Sequence, residues 1–220
     1  MKVKHAQTDK YTIAWFKIAD YVSRGEKERA LGVYRLLSHS FNDDAVARQL
    51  EADIYLSCNE QEKAISLYRQ AIELYKKSKK FLEAAALYEH LIFLLPDNIS
   101  LRHDIIVCYH NMPHIFVKIY SHSQQIIATY VAKNKWQELE QFMYASASLH
   151  YSVYVIISQQ IITKVYSVRE QTHLLQKSIE NVVAKLLLEG QEELLQDFQR
   201  AMKNINEELY LYAHNFIHKM

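Results

Sequence analysis

Two histidine pairs stand four residues apart in this chain, His110/His114 and His214/His218. On a helix that spacing puts both rings on one face. Imidazoles so placed can take up zinc or copper when one or two further ligands join them, and His103 and Cys108 lie near the first pair. Neither pair carries the glutamate of a zinc-protease helix, and Pro113 interrupts the run between His110 and His114. Eleven histidines in 220 residues produce such pairs by chance. The expectation is therefore solvated or hydrogen-bonded histidines, with no metal, no cofactor and no catalytic residue. Nucleophilic chemistry is no better served, because no Ser/His/Asp or Cys/His set assembles from sequence order and no strained turn presents a nucleophile.

The paired charges read as helix punctuation. Asp43-Asp44 and Glu192-Glu193 are expected at helix N-termini, where the helix dipole favours a negative charge by a few tenths to about 1 kcal/mol. Lys76-Lys77 with Lys79-Lys80 suits a helix C-terminus for the same reason, and is too small a cluster for a polybasic membrane patch.

The elements that must position these residues follow from composition. Average usage would supply roughly 26 glycines and prolines in a chain of this length; this one has 3 Gly and 2 Pro. So little backbone punctuation excludes hairpin-rich β folds and glycine-rich phosphate loops. With 50% hydrophobic and 23% charged residues the chain is a folded, all-α protein. Its 26 basic and 25 acidic residues leave a net charge of +1, which offers no footprint for a nucleic acid. Cys58 and Cys108 fall on apolar helix faces and are expected to be reduced, buried and inert. The N-terminal residues show no apolar leader, and Leu91–Leu95 and Val153–Ile157 fall far short of the roughly 20 residues that span a bilayer. No membrane association and a cytoplasmic location are expected.

Small and aromatic residues recur in phase. Ala30, Tyr34 and Leu37 follow Gly25; Ala64, Tyr68 and Ala71 follow Cys58-Asn59; Ala84, Tyr88 and Leu91 follow Lys79-Lys80, with Pro96 beyond. Upstream lie Trp15, Ile18 and Ala19, and Ala52 and Tyr55. A small residue lets a neighbouring helix approach, and the aromatic fills the next layer. This pattern resembles the tetratricopeptide repeat family, whose unit of about 34 residues is a pair of antiparallel helices. The matches run from about Ile13 to Asp43, Ala45 to Ser78 and Tyr120 to Tyr151, the last with Ile126, Ile127, Tyr130, Asn134, Trp136, Leu139, Met143 and Ser146. The Ala64 and Ala84 signatures are only twenty residues apart, so a helix from about Gln61 to Lys77 is expected to close one unit and open the next. Phase-slipped units of this kind, with the segment FLEAAALYEH, resemble the helical array of the soluble NSF attachment proteins.

The remaining helices follow from their caps and periodicity. Ser100 is expected to cap a helix ended by Asn111-Met112-Pro113, followed by apolar helices from about Ile115 to Ala132 and Leu149 to Tyr166. From Ser167, read as an N-cap, apolar residues at Leu175, Ile179, Val182 and Leu186 make one seam. Phe198, Met202, Ile205, Leu209, Tyr212 and Phe216 make another beyond Gly190, which together predict an antiparallel αα-hairpin. The expected architecture is an all-α, antiparallel helix-pair solenoid of about ten helices. A degenerate tetratricopeptide-like array would occupy residues 11–166, with a coiled-coil-like C-terminal hairpin over 167–220 packed on it.

The resemblance implies a concave groove lined by the first helix of each unit: Phe16 and Asp20, then Gln49, Asp53 and Leu56, then Gln124, Ala128 and Val131. The cationic clamp with which some members of the family grip acidic C-terminal tails is missing at these positions. A mildly polar groove suits an amphipathic helix or extended segment of a partner protein, and Tyr144, Tyr151, Tyr154, Tyr210 and Tyr212 are further contact candidates. The expected function is a non-enzymatic protein–protein interaction scaffold or adaptor. The alternatives are a secretion- or assembly-type chaperone that forms a homodimer through the C-terminal hairpin, and a metal-dependent enzyme using a histidine pair.

Overall fold

The computed structural model describes residues 3–112, 115–168 and 172–220, with side chains from Ile13 onward. Pro113 and His114 lie outside the described residues. Twelve α-helices and no strand are present among the described residues. They fall into two compact units, Met1–Asp97 and Asn98–Met220.

Unit 1 holds α1 (Val3–Ser23), α2 (Lys27–Ser38), α3 (Asp44–Ser57), α4 (Gln61–Lys77) and α5 (Phe81–Leu94). Each helix packs on the next, and α1 also touches α3. Unit 2 holds α6 (Ile99–His110), α7 (Phe116–Ala132), α8 (Trp136–Ser146), α9 (Tyr151–Val168), α10 (Thr172–Leu188), α11 (Glu192–Ile205) and α12 (Glu207–Ile217). Here sequential pairs are joined by next-but-one contacts, α7 on α9, α9 on α11 and α10 on α12. Within each unit this is a helical repeat-like arrangement.

Five of the turns share one geometry. Gly25, Asn59, Lys79, Asn134 and Gly190 all have positive φ, between 52° and 72°. At each, the next residue's N–H returns to the carbonyl four residues before the turn residue (Tyr21, Tyr55, Tyr75, Tyr130 and Leu186) at 2.8–2.9 Å. That bond satisfies a carbonyl the helix end leaves free. Seven residues before the turn, Ile18, Ala52, Ile72, Ile127 and Val183 are buried; five after it, Ala30, Ala64, Ala84, Leu139 and Leu195 are buried. The same in-phase positions are thus buried on both sides of all five turns. The helix expected over Gln61–Lys77 is α4, which packs on both α3 and α5.

Several sequence expectations need correction. The helix opening near Ser100 is capped by Asn98, whose side chain accepts from Leu101 N–H at 3.3 Å. Ser167 is not an N-cap: it lies in the last turn of α9 and bonds back to the Lys164 carbonyl. The seam from Phe198 to Phe216 is two helices, because Asn206 takes an extended conformation (φ −165°, ψ 143°) and accepts from Glu208 N–H to start α12. The C-terminal stretch is therefore three helices rather than a hairpin. Cys108 is buried, whereas Cys58 is the half-buried C-cap of α3. Asp43 caps α3 through Ala45 N–H, and Glu192 and Glu193 stand in the first turn of α11. No helix among the described residues is long and apolar enough to cross a membrane.

Candidate functional site

The expected groove residues separate by unit. In unit 1, Phe16 projects from α1 with 72% of its surface exposed, and Asp20 pairs with Arg24 at 2.8 Å. On α3, Gln49 accepts from the Tyr75 hydroxyl at 3.0 Å and Asp53 from the Tyr68 hydroxyl at 2.5 Å. Leu56 is half-buried. Gln49 and Asp53 are thus held by tyrosines of α4. Burial raises the Asp53 carboxyl pKa, and the Tyr68 hydrogen bond pulls against that rise.

The open cavity of unit 1, about 950 Å³, lies on another face of α3. Asp44, Ala47, Arg48 and Glu51 line it together with α2 and α4, at the 3–4 residue spacing that marks one helix face. Its charges balance: Arg48, Arg69 and Lys77 stand against Asp44, Glu51 and Glu73. Arg48 bonds Glu51 at 2.9 Å. Burial, then the neighbouring Glu51 charge, pushes the Tyr34 hydroxyl up to about 12.

In unit 2 an open groove runs along α7 and α9. Gln124 and Ala128 of α7 line this groove of about 580 Å³, which α9 completes with Ile156, Gln159, Gln160 and Thr163. Val131 is buried in the core instead. Among the described residues no acidic side chain lines this groove, and Lys164 is the one cation that does.

Gln159 and Gln160 line the groove outside the segments that resemble the tetratricopeptide pattern, yet a signal for them stands in the sequence. Ser123–Ile127 and Ser158–Ile162 both read Ser-Gln-Gln-Ile-Ile, offset by 35 residues. The two copies take the same phase on their helices: both isoleucine pairs are buried, and all four glutamines line the groove. Each amide offers a donor and an acceptor. Gln160 spends its own on α7, accepting from Ser123 Oγ at 2.6 Å and donating to the Tyr120 carbonyl at 3.1 Å. This crosslink holds the groove walls at a fixed spacing.

The tyrosines expected as contact anchors are placed differently. Tyr154 is buried and Tyr212 donates to Glu180, while Tyr144 is exposed with Lys177 over its ring. Tyr151 packs on His150 and Tyr210 on His214. The groove tyrosine is Tyr120, half of whose surface is exposed.

The histidines do not gather at one place: His214 and His218 meet on α12, with their Nε2 atoms 3.2 Å apart, and the others lie elsewhere. His103 packs edge-on against Phe142 at 4.7 Å and bonds Tyr130 at 3.1 Å, and burial lowers its pKa. His110 and His150 line a smaller cavity of about 390 Å³, and His110 is held below its ordinary pKa first by burial and then by His150. Among the described residues no group of three or more His, Cys, Asp or Glu could hold a metal ion. The chain matches no protein-family model and no curated protein in sequence.

Proposed function

We propose that the chain is a non-enzymatic interaction scaffold built of tetratricopeptide-like helix pairs, and that the α7–α9 groove seats a peptide or helix of a partner protein. Repetition of one turn geometry, five times with the same flanking buried positions, supports the repeat reading. The observation that carries the functional reading is the duplicated Ser-Gln-Gln-Ile-Ile segment, which turns paired glutamines from adjacent helices into one trough. An apolar lining of Ile127, Ala128 and Ile156 among amides that can both donate and accept suits a polypeptide, whose backbone presents both kinds of group. Scaffold folds do not dictate their partners, so the groove itself is the test. Ala128→Arg places a long cation in the trough, and Ala86→Arg places one on the exposed face of α5 as a control. A protein recovered with wild type and with Ala86→Arg but lost with Ala128→Arg supports the reading; equal recovery with all three rejects it.

The second reading, a dimeric assembly chaperone, draws on the trough of about 440 Å³ between α10 and α12, where Leu175, Ile179 and Leu209 lie among Thr172, Gln176, Glu208 and Tyr212, and on the exposed Leu211 beside it in sequence. Sedimentation of the intact chain decides it: a monomer at high concentration removes this reading.

A further inference from the structure

We propose that His214 and His218 form a two-nitrogen chelate for a divalent first-row transition-metal ion at the C-terminal end of α12. The four-residue spacing puts both rings on one helix face, and their Nε2 atoms stand 3.2 Å apart with ring planes crossed at 83°. Imidazole nitrogens bind zinc at about 2.0–2.1 Å, so two ligands at square or tetrahedral angles to one ion lie roughly 2.9–3.4 Å apart. The pair already has that separation. Which nitrogen carries a proton depends on the tautomer each ring holds; an ion about 2.0–2.1 Å from both nitrogens sits to one side of the line that joins them.

The end of the helix favours the cation. His214 is in the last turn of α12 and His218 is its C-cap, bonded through its N–H to the His214 carbonyl. The negative end of the helix dipole falls there. One turn earlier the Tyr210 ring stacks on His214, with ring centroids 5.7 Å apart. The Lys203 ammonium lies over the Tyr210 ring, 5.4 Å from its centroid. Imidazole selects copper, zinc or nickel over magnesium and calcium, which require oxygen ligands. With two protein ligands the remaining coordination positions go to water, so the site is open and exchangeable rather than structural.

The test uses the full chain, prepared without a polyhistidine tag, titrated with Cu²⁺ and Zn²⁺ by calorimetry and followed by electron paramagnetic resonance for Cu²⁺. Wild type is expected to show one tightest site with a two-nitrogen hyperfine pattern. His218→Gln, at an exposed position, should weaken that site about tenfold or more, because the second ligand then no longer binds as part of a chelate. His39→Gln, an exposed histidine elsewhere, should leave it unchanged, and Mg²⁺ should give no binding. Circular dichroism checks that each variant stays helical. A tightest site of equal affinity in wild type and His218→Gln, or no Cu²⁺ or Zn²⁺ bound by wild type, overturns the proposal.

Discussion

Ser123 on α7 donates its hydroxyl to Oε1 of Gln160 on α9 at 2.6 Å, so one copy of the duplicated segment grips the other. Ser123 is wholly buried, and its removal would leave the Gln160 oxygen without its donor. Ser123→Ala is expected to cost about 1–2 kcal/mol, read as a shift of the chemical-denaturation midpoint. An unshifted midpoint would mean the crosslink contributes nothing.

Lys79 holds a left-handed conformation, φ 57°, that Gly25 and Gly190 adopt at equivalent turns. Glycine takes that conformation without the Cβ penalty. Lys79→Gly should therefore stabilise unit 1 by about 0.5–1 kcal/mol, and Gly25→Ala should destabilise it by about 1 kcal/mol. Nothing lies within 4 Å of a Cβ built on Gly25, so the second effect is purely one of backbone. Thermal melts of the two variants should move in opposite directions.

Asn206 caps α12 through its side-chain oxygen and donates its amide to the Tyr166 hydroxyl. Asn206→Ala loses both contacts, and the cap alone is worth about 1 kcal/mol. Amide exchange in the first turn of α12 should accelerate, with less change in α9. Uniform exchange across the two helices would contradict the assignment.

His103 is buried against Phe142 and Tyr130, and its pKa is lowered by that burial. The folded state therefore binds fewer protons than the unfolded state once pH falls below the ordinary histidine value of about 6.5. Stability from this residue is fully present above that value and is lost as pH drops through the folded-state pKa. His103→Phe should flatten the stability profile as pH falls below the ordinary histidine value of about 6.5, measured by denaturation at each pH.

Tyr68 donates to Asp53 at 2.5 Å, and this bond opposes the rise that burial imposes on the Asp53 carboxyl. Tyr68→Phe should raise the Asp53 pKa further. Carboxyl-carbon NMR titration of Asp53 would show it, and an unchanged or lower value would contradict it.

Helix content, the in-phase packing positions and the double role of α4 were legible because each depends on local sequence. Ala64 and Ala84 mark the two ends of that overlap, and periodicity locates a buried side chain whatever its neighbours. The break at Asn206 is hidden within the seam because Ile205 and Leu209 keep the heptad step across it; the apolar rhythm continues while the backbone does not. The cue was the Asn-Glu-Glu sequence, a capping residue followed by acids. Gln49 and Asp53 were legible as first-helix positions, but their tyrosine partners come from α4 through tertiary packing that spacing does not encode. Gln159 and Gln160 were hidden for another reason. The family pattern weights small and aromatic residues, so a polar pentapeptide repeated verbatim carries no weight in it.

The helix α4 answers two turns, with Ala64 set by Asn59 and Tyr75 set by Lys79. Adjoining hairpins that share a member cannot be copied or excised as whole cassettes, because cutting out α3 with α4 would strand α5 without the surface it was shaped to meet. At this place the chain can lengthen or shorten only one rod at a time. An array grown in that way can hold an odd number of rods, as the five of unit 1 do, without leaving one unmatched.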